Sequence, residues 1–159
     1  MLSDKMIGLL NNQINLEFYS SNLYLQMSAW CEYKALESCA EFLRLHAEEE
    51  MTHMNRLFKY VADTGALAKI GAIDSPKSDF EDIIELFKDI YAHEQFITAQ
   101  INDLADSLVE PCDGPGVSRR VLAIVDVCLR AASSAVDART ATSRVASSQE
   151  RAGRYATAA

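Results

Sequence analysis

Very little in this sequence places it by a single strong feature. Its 159 residues include three prolines, six glycines and one tryptophan, too little Pro and Gly for a collagen-like or low-complexity chain. Four cysteines, Cys31, Cys39, Cys112 and Cys128, show no C-x-x-C spacing, so they read as reduced, packed thiols rather than a disulfide framework or a zinc site. No run of about 18 apolar residues is present to span a bilayer. Met1 to Lys5 lead into neither a basic nor an apolar targeting segment, which makes the cytoplasm the expected compartment. Positive charge is short as well: 15 Lys and Arg face 23 Asp and Glu, a net charge of −8. Such a balance argues against nucleic-acid and anionic-membrane partners, both polyanions that reward Lys and Arg, and fits a protein that attracts cations. With 49% hydrophobic and 24% charged residues, the length suits one domain, residues 1–159, with a real core.

The shortages are unevenly spread. The first 110 residues carry a net −11 and twelve of the thirteen aromatics, whereas residues 111–159 carry a net +3 with no Lys, no Phe and one Tyr. That second part is crowded with Ala, Ser, Val and Arg. The junction, Glu110-Pro111-Cys112-Asp113-Gly114-Pro115-Gly116, holds two of the three prolines and reads as a breaker.

What is there is helical periodicity. Ile7, Leu10, Ile14, Phe18, Leu25 and Cys31 predict a first helix from residue 3 to the mid-30s, with Ser3 as its N-cap. Cys39, Phe42, Leu57 and Tyr60 predict a second from Glu37 to about Thr64, stopped by Thr64-Gly65. The turn between them is short, so the two should pack antiparallel. The connection from Gly65 to Ser78 is unusually long for neighbouring helices. A helix of about 28 residues is roughly 40 Å long, and fourteen extended residues cover roughly 46–50 Å. The chain can therefore return to the starting end and run a third helix, Asp79 to about Leu108, parallel to the second. Its inner face would carry Ile83, Phe87, Ile90, Ile97, Ile101, Leu104 and Leu108, with Ser78 or Asp79 as cap. The fold class is all-α, a four-helix bundle with one long crossover between helices 2 and 3.

Carboxylates stand where these stripes call for apolar residues. In steps of three and four the first helix reads Ile7, Leu10, Ile14, Glu17, Ser21, Tyr24, Ser28, and the third reads Ile83, Phe87, Ile90, Glu94, Ile97, Ile101. The second reads Cys39, Phe42, His46, Glu50, His53, Leu57, Tyr60, placing a Glu and a His on one face at i, i+3. Burying unpaired carboxylates costs several kcal/mol each, so three of them near mid-height require cations or protons. Carboxylate oxygens with one imidazole suit iron, manganese or zinc, and a Glu plus Glu-x-x-His from separate helices is a di-metal carboxylate arrangement. His46 and His93 read as packing or hydrogen-bonding residues, and Tyr24 as a core tyrosine seeking a partner. The Glu48-Glu49-Glu50 run, taken alone, reads as a solvated acidic face.

Four stretches then carry a resemblance: Gln13-Ile14-Asn15-Leu16-Glu17-Phe18-Tyr19-Ser20-Ser21, Met27-Ser28-Ala29-Trp30-Cys31, Ala47-Glu48-Glu49-Glu50-Met51-Thr52-His53-Met54 and Tyr91-Ala92-His93-Glu94-Gln95. In order and spacing the sequence from residue 1 to about 108 resembles the bacterial non-haem ferritins. The resemblance implies a ferritin-like bundle whose copies form a hollow shell, a homo-oligomer of about 24 subunits. It also implies oxidation of ferrous iron by dioxygen or peroxide and storage of the ferric mineral. By the same resemblance Glu17, Glu50 and His53 match the first iron site, Glu94 a ligand of the second, Glu49 a ligand of a neighbouring third, and Tyr24 the tyrosine beside the centre. Only one Glu-x-x-His is present where the haem-binding and rubrerythrin types carry two, and Met54 reads as packing, so no haem is expected.

The tail departs from this pattern. A fourth helix of the family would bring Glu and Gln to the centre, whereas residues 117–159 offer Val121, Ile124, Cys128, Ala131, Ala135 and Ala138 on their best stripe. Asp126 is the one acid near the needed height, and it lies off that stripe. Two accounts stand. The tail is a divergent fourth helix that binds no metal, or it is a coding sequence read out of frame. Cys128 to Ala135 can be written with synonymous codons that, moved one base onward, spell Ala-Ser-Glu-Gln-His-His-Gln, close to the missing segment. The expected function is a ferritin subunit with ferroxidase chemistry, and the alternative a shell subunit with an impaired centre.

Overall fold

The computed structural model describes residues 2–107. They form three helices, α1 (Asp4–Tyr33), α2 (Glu37–Asp63) and α3 (Ile83–Ser107). None of these is long and apolar enough to cross a membrane. The expected fourth helix, Asp126, Leu108, Cys112 and Cys128 lie outside the described residues, as does the tail's relation to the proposed single domain.

Each boundary has a local cause. Ser3 caps α1 as its position predicts, its hydroxyl accepting from the Met6 N–H at 3.2 Å. At the other end Ala35 N–H bonds the Glu32 carbonyl at 3.0 Å and Leu36 N–H the Cys31 carbonyl at 2.9 Å, the paired bonds of a Schellman stop. The stop places Ala35 at φ 57°, a left-handed position that glycine would occupy more easily. Thr64-Gly65 ends α2 in the same way, with Gly65 at φ 80° bonded to Ala62 and Ala66 bonded to Val61.

α3 starts four residues later than its periodicity predicts. Asp82, not Ser78 or Asp79, receives the Glu85 N–H on its side chain at 2.8 Å. Asp79 is engaged elsewhere: its Oδ1 accepts from Phe80 N–H at 3.0 Å and from the Trp30 indole at 3.4 Å, which anchors the end of the crossover to α1.

The crossover is fastened along its length. Asn11 and Asn15, one turn apart on α1, each hold it at two backbone groups: Asn11 donates to the Leu67 carbonyl at 3.2 Å and accepts from Lys69 N–H at 2.8 Å. Asn15 donates to the Lys69 carbonyl at 3.1 Å and accepts from Gly71 N–H at 2.7 Å. Two side-chain amides thus supply a short run of backbone-like pairing for a segment that belongs to no sheet.

Two apolar clusters fill the bundle. One joins Leu10 and Ile14 to Leu57 and Val61 and to Ile97 and Ile101; the other joins Tyr24 and Met27 to Leu43 and Ala47 and to Leu86 and Ile90. The first half of α1 therefore meets the second halves of α2 and α3, so both run antiparallel to α1 and parallel to each other, as the crossover length predicts. Ser21 and Ser28, which interrupt the stripe, donate across to the Ala47 and Ala40 carbonyls of α2 at 2.7 and 2.8 Å. Small side chains there let the helices approach and keep the buried hydroxyls paired. Leu25, placed on the inner stripe by its spacing, is instead 54% exposed, because one residue beyond Tyr24 is about 100° around the helix. Phe18 and Phe42 are only half-buried, and Leu86 sits deeper than Phe87. Cys31 and Cys39 are buried thiols; burial and then the nearby Cys39 push Cys31 up to about 12, which makes it a poor nucleophile.

Candidate metal centre

A polar layer separates the two apolar clusters. α1 supplies Glu17, α2 supplies Glu50 and His53, and α3 supplies Glu94, all four buried. Ligand atoms of Glu17, Glu50 and His53 lie within 4.8 Å of one another. His53 Nδ1 is 3.3 Å from Glu50 Oε2 and 3.9 Å from Glu17 Oε2. Glu94 joins from the third side through Tyr24, whose hydroxyl donates to its carboxylate.

Carboxylates this close together and this well buried resist ionising. Burial raises Glu17 to about 8, helped by the neighbouring Glu50 carboxylate. Burial likewise raises Glu50 to about 7, with the charges of Glu94 and Glu49 adding to it and Glu17 opposing. Of the two, Glu17 is the carboxyl held more firmly in its protonated form. Glu94 is raised by burial and partly relieved by Tyr24. Gln13, one turn before Glu17, donates to Glu17 Oε1 at 2.8 Å, but Oε2 is buried with no hydrogen-bond partner. An oxygen in that state calls for a proton or a cation. A donor set of hard carboxylate oxygens with one imidazole matches first-row divalent ions such as iron, manganese or zinc.

The residues around the layer fall into place by exposure. Glu49 faces solvent at its rim, near enough for its charge to raise both Glu50 and Glu94. His46 places Nδ1 3.0 Å from the Phe42 carbonyl and stacks on Phe42, a packing role. His93 bonds Ser20 at 2.8 Å, and burial lowers it to about 4, so it is neutral. Tyr24 is pushed well above its ordinary range, by burial first and then by Glu94, and stays a hydrogen-bond donor. Reading by stripes misses Gln13. Its place four residues before Glu17 on the same face was the available signal.

Comparison with known proteins agrees with this arrangement. The profile of the ferritin-like domain matches residues 7–113. The chain belongs to the ferritin family. It is 53% identical over 115 residues to the bacterial non-heme ferritin of Escherichia coli O6:H1, covering 72% of this chain and 70% of that one. It is 50% identical over 113 residues to a probable bacterial non-heme ferritin-like protein of Haemophilus influenzae, covering 71% and 68%. Among solved structures, Chlorobium tepidum ferritin superposes with a TM-score of 0.80 at 36% identity, covering 98% of this chain and 96% of that one. An open-pore ferritin from Archaeoglobus fulgidus gives 0.79 at 28% identity, covering 86% and 84%. For this ferritin the four-helix bundle inferred from the crossover is thus the family fold. The family match ends inside the Pro111–Gly116 junction where the composition changes.

Proposed function

We propose that this ferritin is an iron-storage subunit that oxidises ferrous iron at a two-iron carboxylate centre and holds the ferric product within a shell of its own copies. The observation that carries the reading is the buried Glu17, Glu50 and His53 constellation, with Glu17 Oε2 lacking any protein donor. Glu17, Glu50 and His53 hold the first iron. Glu94 reaches toward the second, and Glu49, exposed at the rim, serves a neighbouring third. Iron is substrate and cargo here. Two ferrous ions release two electrons, and dioxygen taking them with two protons leaves as hydrogen peroxide; peroxide can itself serve as oxidant.

The chain's own part is positioning and charge. Three helices bring the carboxylates together at mid-height, and the proton that burial holds on the Glu17 carboxyl leaves as the cation arrives. Gln13 holds Glu17 by one oxygen, leaving the other for metal, and Tyr24 fixes the Glu94 rotamer. Such partners set ligand orientation and tune affinity. The acidic first 110 residues draw cations toward the site. The cytoplasm suits this use, since ferrous iron and reduced thiols coexist there.

Anaerobic ferrous loading followed by mixing with air tests the reading. Absorbance and oxygen uptake should show a fast phase at about two irons per chain, and Glu17→Ala should reduce it to the buffer autoxidation rate. Equal rates for the two proteins would refute the reading. A second reading, a shell subunit with an impaired centre, is favoured by the missing Glu and Gln pattern after residue 117. It predicts metal binding at Glu17, Glu50 and His53 with only slow oxidation.

A further inference from the structure

A cavity of about 330 Å3 lies between α1, the crossover and α3, walled in part by Asn12, Tyr19, Ile73, Asp74, His93 and Phe96. None of the four metal-centre residues lines it, yet it is joined to them. The rings of Tyr19 and His93 are 5.8 Å apart, and His93 meets Tyr24 edge-on at 6.0 Å. Tyr24 in turn donates to Glu94. Two ring contacts and one hydrogen bond therefore lead from the cavity wall to a carboxylate of the centre.

The chemistry of the wall is specific. Ser20 gives its only hydroxyl hydrogen to the Leu16 carbonyl at 3.0 Å, so across 2.8 Å it accepts from His93 Nε2–H. His93 Nδ1 is then an acceptor. With the Asp74 carboxylate, the wall combines hydrogen-bond acceptors with the aromatic side chains of Tyr19 and Phe96 and the Asn12 amide, which can accept or donate. That set fits a planar aromatic ring bearing hydroxyl donors, and the negative Asp74 disfavours an anionic one. The volume is within the range of small-molecule sites.

We propose that this cavity docks a quinol, an uncharged para-dihydroxyaromatic reductant, and that its electrons pass through the packed rings of Tyr19, His93 and Tyr24 to return ferric iron at the centre to the ferrous state. One quinol gives two electrons to two ferric ions and becomes the quinone; its two hydroxyl protons leave to water past the exposed Asp74. The quinol makes no bond to iron, so a para-diol, which cannot chelate a metal through both oxygens, is the informative probe. The proposal rests on the iron-oxidising reading above and adds the reverse direction, with a docking site of its own.

The test uses 1,4-dihydroxynaphthalene without oxygen. Calorimetry on the metal-free protein should show saturable binding, weakened about tenfold by Phe96→Arg, which fills the cavity with a guanidinium. On ferric-loaded protein with a ferrous chelator present, the wild type should release iron at a rate that saturates with quinol. Tyr19→Leu should keep most of the affinity, losing at most roughly tenfold for one aromatic contact, but release iron several-fold more slowly at saturation. Both variants should oxidise ferrous iron in air as the wild type does. Absent binding, release that rises linearly with quinol, or equal saturated rates in Tyr19→Leu and wild type would each overturn the proposal. A wild type that binds quinol but oxidises no ferrous iron would overturn the function proposed above, and with it the electron-transfer half of this inference.

Discussion

Glu17 shows how a single buried residue links stability to metal. Its ordinary carboxyl pKa of 4.5 is raised to about 8 by burial in the folded chain. Between those two values the folded state holds a proton that the unfolded state has released, so stability falls as pH rises across that window. Glu50, raised to about 7, adds to the same trend. The metal-free protein should therefore melt at progressively lower temperature from about pH 5 to pH 8, losing roughly 1.4 kcal/mol for each pH unit climbed per uncompensated group. Glu17→Gln removes one titrating group and should flatten that slope while abolishing tight cobalt binding at the first site. Thermal melts across pH, with and without cobalt, check both. A metal-free protein whose melting temperature rises over this window would show that the carboxylates are already compensated. Much of this site was legible from stripe positions, because Glu17, Glu50, His53 and Glu94 each fall on an inner line of a helix. Gln13 and the Tyr24 bond to Glu94 were harder to see, since a hydrogen-bond partner is fixed by rotamer and distance that a pattern of residue types does not encode.

At the scale of elements, the helices follow from periodicity and their stops from turn chemistry, while the crossover is held by contacts more than fifty residues apart. No local pattern reveals that Asn11 and Asn15 hold Leu67, Lys69 and Gly71. For the same reason the start of α3 was displaced: Asp79 has the residue type of a cap but is committed to Trp30 and Phe80, and Asp82 takes the role. Asn15→Ala should cost about 1–3 kcal/mol, the loss of two bonds to the crossover and one to the Asn11 carbonyl, which leaves the crossover's backbone groups to water. It should also speed proteolysis between residues 65 and 82 with little change in helicity. Ala35→Gly tests the α1 stop from the other side. It removes a side chain from the left-handed backbone at φ 57° and should stabilise by about 0.5–1 kcal/mol in urea unfolding. A neutral or destabilising result would mean that the backbone relaxes when the side chain is lost.

At the scale of the whole molecule, the seam in composition and the limit of the family match coincide near residue 113, so the site and the tail have to be weighed separately. α1 and α2 alone supply both carboxylates and the imidazole of the proposed first iron position. The proposed second position would draw on Glu94 and on whatever follows residue 113, where the residues present are mostly Ala, Ser, Val and Arg. Cobalt titration of the purified protein, read in the visible d–d bands, should therefore give one tight ion per chain, with a second weaker by tenfold or more, about 1.4 kcal/mol or greater. The coding DNA offers the complementary measurement. If the tail is a shifted reading, removing or adding one base between the codons for about Leu108 and Cys128 should restore a Glu- and Gln-bearing segment. The repaired protein should then bind the second ion nearly as tightly as the first. Two equal tight sites in the present chain would assign the missing ligands to the tail as it stands, with Asp126 the first residue to replace.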